Sequence, residues 1–160
     1  MFFLKDLPTR AMLDGYAGRY PGLEPDTIGL ALARMRWASL LIRAVEAHFA
    51  AHGLTQTQFL ILIVIDREPD RDTLLPSEIA ERLDVSRPIV TNATKRLIGA
   101  GLLAYAEPGT DGRAKPLALT AEGRARLAAV LPGYFALISE HMAENGRGGD
   151  VTPRPTSRSP

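Results

Sequence analysis

The chain of 160 residues has no cysteine, three histidines, one tryptophan and 6% aromatic residues. Without a thiol it cannot carry a cysteine redox switch. Its histidines, His48, His52 and His141, come with no HExxH, no serine in a nucleophile-elbow setting and no phosphate-binding glycine loop. The sequence therefore reads as a protein that is not an enzyme and needs no cofactor. Long apolar runs are missing too: none approaches the ~18 residues of a membrane span, and Phe2-Phe3-Leu4 runs straight into Lys5-Asp6 rather than into a signal-peptide core. A cytoplasmic protein is expected. Charge of one sign is scarce, with a formal net charge of +1. It is unevenly spread, however: residues 60–85 carry three basic and seven acidic side chains, whereas residues 86–126 carry seven basic and three acidic. Such a local surplus suits a surface that meets nucleic acid, and 46% hydrophobic residues are ample for a core beneath it.

The most specific pattern lies between residues 76 and 123. Pro76 fits the first position of a helix, where its missing N–H is not needed, and Glu78 favours the positive end of the helix dipole. Ile79, Ala80 and Leu83 give that helix one apolar face. Asp84-Val85 makes the break, and Ser86 is a strong N-cap for a second helix from Arg87 to about Ala100, with Gly101 as its stop. At ~100° per residue, Ile89, Val90, Ala93 and Leu97 fall on one side of this second helix. Arg87, Pro88, Thr91, Asn92 and Lys95 fall on the other, which puts side chains suited to base edges and phosphates on the solvent face. With Ser86, these are the candidate DNA contacts. A hairpin follows: Leu102 to Ala106 as one short apolar run, Pro108-Gly109-Thr110-Asp111-Gly112 as the turn, and Leu117-Ala118-Leu119 as the return strand. Near its tip Asp111 can brace Arg113 by a charge-assisted pair and aim it at a narrow minor groove. Helix, turn, helix and hairpin make a winged helix.

Five segments in register carry a resemblance. Leu54-Thr55-x-x-Gln58-Phe59, the run Pro76 to Arg87, Gly101-Leu102-Leu103, Asp111-x-Arg113-Ala114 and Leu119-Thr120-x-x-Gly123 together resemble the MarR (multiple antibiotic resistance regulator) family of transcriptional regulators over about Leu54 to Leu131. The resemblance implies a homodimer that binds a pseudopalindromic double-stranded operator, with recognition helices in successive major grooves and wings in adjacent minor grooves. It also implies a repressor released by a small ligand or by oxidation; with no thiol to oxidise, ligand control or constitutive binding is left. Three departures stand out. Gly112 occupies a place where the family commonly has Arg, Pro116 suggests an edge or bulged return strand, and Pro88 removes an N–H that could meet a phosphate and leaves Ser86 to cap Ile89.

The rest of the chain supplies scaffold, and the expected fold is mainly α with a small β-hairpin wing. Asp26 is read as the cap of a long helix from about Thr27 to Ala51, in which Leu30, Met35, Trp37, Leu41, Ile42, Ala44, Val45, His48 and Phe49 make a broad apolar surface. Thr55 caps the next helix; its Phe59 to Ile65 segment is apolar at every position, which periodicity alone would equally allow as a buried strand. From Thr120 a helix carrying Leu127, Val130, Leu131, Phe135, Leu137, Ile138 and Met142 is expected, kinked or broken at Pro132-Gly133. Family members usually finish with one more helix that interlocks the subunits, whereas this chain ends in a Gly, Pro and Ser-rich stretch read as a disordered tail. The amino-terminal stretch is the expected substitute: a helix starting at Leu7-Pro8-Thr9 and carrying Met12, Leu13, Tyr16 and Tyr20, packed on the partner's last helix. The resulting division is residues 1–53 for dimerisation, 54–119 for the winged helix-turn-helix, 120–145 for a second dimerisation helix and 146–160 for the tail.

By resemblance, a ligand cleft lies beside the long helix, with Trp37, Leu41, His48 and Phe59 as its candidate lining and a small aromatic or apolar effector as its occupant. Two further readings compete. His48 and His52 stand one helical turn apart and could hold a metal ion with His141 or a carboxylate as third ligand. Alternatively, the winged helix is a protein-interaction module without a DNA role.

Overall fold

The computed structural model describes residues 3–106 and 115–146. They form six helices and three short strands: α1 Arg10–Ala17, α2 Pro25–Ala51, α3 Gln56–Asp66, β1 Thr73–Leu74, α4 Pro76–Leu83, α5 Arg87–Gly99, β2 Leu103–Tyr105, β3 Leu117–Leu119 and α6 Ala121–Gly146. The mainly helical fold with a small sheet is the one expected. Two stretches lie outside the described residues: 107–114, with Asp111 and Arg113, and the tail from residue 147. Among the described residues no single helix is long and apolar enough to cross a membrane.

Two compact units divide the chain, one of residues 45–135 and one of residues 1–44 with 136–160. In the first, α3 is the hub. Its start is fixed by reciprocal capping: Gln58 N–H donates to the Thr55 hydroxyl (3.2 Å) and Thr55 N–H donates to the Gln58 side chain (2.8 Å). Phe59, Ile61, Leu62, Val64 and Ile65 are all buried, which explains a helix with no polar face. Phe49, Phe59 and Tyr134 stack beside it, with ring centroids 4.1 Å (Phe49 to Phe59) and 4.9 Å (Phe59 to Tyr134) apart. Ile79, Val90, Leu97, Leu117 and Val130 complete this core.

The sheet has the order β1-β3-β2, antiparallel throughout, with Thr73 opposite Ala118 and Leu103 opposite Leu119. β1 is too short for any sequence pattern and was not expected. It makes β3 the central strand, so the reading of β3 as an edge or bulged strand is corrected. Pro116 lies just before it, where no ladder N–H is required, and its carbonyl accepts from Ala106 N–H at 2.9 Å. The junction into α6 is equally close. Thr120 N–H donates to the Leu102 carbonyl (3.2 Å), the Thr120 hydroxyl donates to the Gly101 carbonyl (2.6 Å) and accepts from Gly123 N–H (3.0 Å). Gly101 holds φ +72°, the left-handed conformation of a helix stop.

Helix α6 runs unbroken through Pro132, so the expected break is absent. Beside it His48 Nε2 lies 2.9 Å from the Val130 carbonyl, which only accepts, so Nε2 carries the hydrogen. The ring fits because residue 133 is glycine: a Cβ there would stand 2.4 Å from His48 Cε1. Leu127 and Val130 on the first half of α6 are 1% and 0% exposed.

In the other unit α1 is capped by Thr9, whose hydroxyl accepts from Met12 N–H at 3.3 Å. Leu13 is buried, in contact with Gly29, while Met12, Tyr16 and Tyr20 are exposed. Asp26 lies inside the first turn of α2 rather than at its cap, because the helix already begins at Pro25, and its carboxylate pairs with Arg10. Leu30, Met35, Leu40 and Met142 are also exposed.

Candidate nucleic-acid interface

A helix can offer side chains to DNA only if its other face and its ends are fixed. The first helix of the pair is tied down at its start. Leu75 N–H donates to the Glu78 carboxylate (2.8 Å), which also pairs with Arg71, while Glu68 pairs with Arg82 (2.8 Å). Partial burial works against ionising Glu78, but the Leu75 amide, Arg71 and Arg82 outweigh it and hold the carboxyl below its ordinary value. Asp84 then turns the chain in the left-handed region, at φ 50° and ψ 48°. Asp tolerates this conformation better than most residues because its short polar side chain bonds locally.

The second helix of the pair, α5, buries Val90, Ala93, Thr94 and Leu97. Thr94 was not expected there; its hydroxyl donates to the Val90 carbonyl at 2.8 Å, which makes burial tolerable. Every candidate DNA contact on this helix is exposed: Ser86, Arg87, Pro88, Thr91, Asn92 and Lys95. Two details differ from expectation. Ser86 stands at the N-cap but its side chain makes no capping bond; the Ile89 N–H donates to the Ser86 backbone carbonyl (3.0 Å). Ile89, assigned to the buried face, is 47% exposed. The helix period explains it, since Ile89 falls ~90° from the middle of the face formed by Val90, Ala93, Thr94 and Leu97.

Two further exposed cations were not among the candidates read from the sequence. Arg96 is exposed beside Asn92, and together with Ile89, Ala93, Thr55, Thr57 and Gln58 it lines an open depression between α5 and the start of α3. Its position at the rim of the polar arc was the available signal. Lys115 is exposed at the base of the wing, with Nζ 5.8 Å from the centre of the Tyr105 ring. Among the described residues, Arg87, Lys95 and Arg96 have no carboxylate within ion-pair distance, whereas Arg71, Arg82, Arg124 and Arg126 do. Three uncompensated cations around Thr91 and Asn92 make a positive, hydrogen-bonding strip, the chemistry that phosphates and base edges require.

A family model described as MarR family matches residues 52–114. The HTH-type transcriptional repressor YetL of Bacillus subtilis is 30% identical over 139 residues, covering 87% of this chain and 83% of that protein. The chain belongs to the MarR family. Two solved structures of similar fold come from Mycobacterium tuberculosis. The transcriptional regulator MosR in complex with DNA is 33% identical, with a TM-score of 0.57 over 71% of this chain and 80% of that one. A MarR family protein in complex with salicylic acid is 26% identical, with a TM-score of 0.57 over 72% and 83%.

Of the ligand candidates in this MarR family chain, Trp37 and Leu41 fall in one compact unit and His48 and Phe59 in the other. Phe59 is fully buried in the aromatic stack and serves the core. Trp37 is different: its indole N–H is buried with no acceptor among the described residues, and its ring lies 5.3 Å from that of His141. The metal reading finds little support. His48 Nε2 is engaged with Val130, His52 Nδ1 lies 2.9 Å from the His48 carbonyl, and the described residues hold no group of three metal-ligating side chains.

Proposed function

We propose that this chain is a dimeric, sequence-specific DNA-binding transcriptional regulator that acts as a repressor and is released by a small apolar or aromatic ligand. It is not an enzyme, and its place is the cytoplasm, where its operator lies. The observation that carries this reading is the strip on α5 of exposed hydrogen-bonding side chains and cations that have no carboxylate partner among the described residues, on a helix whose opposite face is locked into the core. Arg87, Thr91, Asn92, Lys95 and Arg96 face the major groove, Ser86 and Pro88 its rim, and Asp111 and Arg113 the minor groove. Residues 54–119 form the reading domain, with residues 1–53 and 120–145 joining two copies. The test is a titration of purified protein against duplexes selected from a random pool, repeated at several salt concentrations. Log affinity should fall linearly with log salt, with a slope of about −0.9 for each phosphate neutralised. A flat salt response would favour the protein-interaction reading.

The effector reading rests on Trp37. A buried indole N–H without an acceptor is costly, and an aromatic carboxylate would supply the missing oxygen. Since the chain has one Trp, its fluorescence reports this position alone. Salicylate or a related ligand should quench it and release DNA over the same concentration range; quenching without release would mean binding without control.

Dimerisation is assigned to α1 and the turn after it because α1 buries Leu13 but exposes Met12 and Tyr16, and the turn exposes Tyr20. Deleting the first 22 residues should give monomer or aggregate in sedimentation, and operator binding should fall with it, because two joined half-site readers gain from effective concentration. A stable dimer after that deletion would move the interface to the other helices. Removing residues 147–160 should leave assembly unchanged.

A further inference from the structure

A large aliphatic side chain on the polar arc of a recognition helix has no core to serve. Ile89 is such a residue, 47% exposed among Pro88, Asn92 and Arg96. It and Asn92 are three positions apart, so their side chains neighbour each other along the helix at about 5–6 Å between Cβ atoms. Both border the depression that Arg96 and Thr57 close. A side chain at that distance from Asn92 can meet the base pair next to the one Asn92 meets, since successive pairs rise about 3.4 Å. In the major groove the one apolar feature of a base edge is the thymine 5-methyl group, and the one edge that matches an amide in two bonds is adenine.

We propose that Ile89 reads a thymine methyl group in each operator half-site, next to an adenine read by Asn92. Ile89 thus sets sequence preference, while the cations around it set affinity. The proposal rests on the DNA-binding reading above and deepens it. It also gives Pro88 a role: at the second helical position it offers no N–H, which removes one backbone donor that a phosphate could engage beside Ile89.

The test uses the full chain and a duplex selected as above, with each thymine of the half-site replaced in turn by deoxyuridine, which lacks only the methyl group. One thymine per half-site should prove sensitive. Its replacement should weaken binding about fourfold, the equivalent of one buried methyl group, and roughly tenfold or more when both half-sites are altered. Ile89→Ala should weaken binding to the thymine duplex and bind thymine and deoxyuridine duplexes equally, so that the two changes do not add. Ile89→Val should retain part of the discrimination, and because the side chain is exposed both variants should melt like the parent. Sensitivity that persists undiminished in Ile89→Ala, or no sensitive thymine at all, overturns the assignment while leaving DNA binding intact. Altered self-association of Ile89→Ala with unchanged thymine preference overturns it in favour of a protein contact. A parent chain that selects no duplex overturns the DNA-binding reading itself, and this inference with it.

Discussion

Gly123→Ala is expected to destabilise the protein by about 2–3 kcal/mol, the upper range for forcing atoms into filled space, and to lower its melting midpoint by roughly 5–10 °C. A Cβ at residue 123 would stand 2.1 Å from the Leu102 carbonyl oxygen and 3.0 Å from its carbon, so backbone rather than a flexible side chain would have to yield. The carbonyl cannot retreat cheaply, because it accepts the Thr120 N–H that joins the sheet to α6. Gly99→Ala is the control. Nothing lies within 4 Å of a Cβ there, and the loss of glycine's backbone entropy near a helix end should leave stability unchanged or slightly raised. Thermal melts followed by circular dichroism separate the two, and equal midpoints would mean that α6 does not start so close to Leu102.

The second large effect concerns DNA. Replacing Arg87, Lys95 and Arg96 together by Ala should weaken operator binding roughly a thousandfold or more, each side chain being worth about 1–3 kcal/mol. The log–log salt slope should become shallower by about one for every phosphate that is no longer neutralised. Because none of the three is tied to a carboxylate among the described residues, the melting midpoint should barely move. A variant that binds as tightly as the parent would strip α5 of its reading role.

Much of this interface was legible in the sequence because local chemistry and periodicity agree there. Pro76, Ser86 and Gly101 punctuate α4 and α5 where the structure does, and Thr55 with Gln58 marks the start of α3, the one helix whose pattern had no period to read. Ile89 was assigned to the buried face and Thr94 was left off it for a single reason. Residue type was taken as a proxy for burial at the margin of the face, whereas a threonine bonded to its own helix enters a core that an isoleucine at the wrong angle cannot. β1 was invisible because two residues carry no periodicity. The covering of Leu127 and Val130 was illegible too, since it depends on elements distant in sequence that pack on the first half of α6. The Trp37 N–H likewise acquires meaning only once its surroundings exist.

Thr91 donates its hydroxyl hydrogen to the Arg87 carbonyl at 2.9 Å. The side chain is therefore frozen before any operator arrives, and its ordering entropy is lost during folding instead of during binding. With the hydrogen committed, the oxygen turns only lone pairs outward. On the DNA-binding reading proposed above, such a group would accept from the amino groups of adenine and cytosine and meet guanine O6, thymine O4 and phosphate oxygens unfavourably. On that reading part of the discrimination would come from a refusal, set by a bond made within the helix itself.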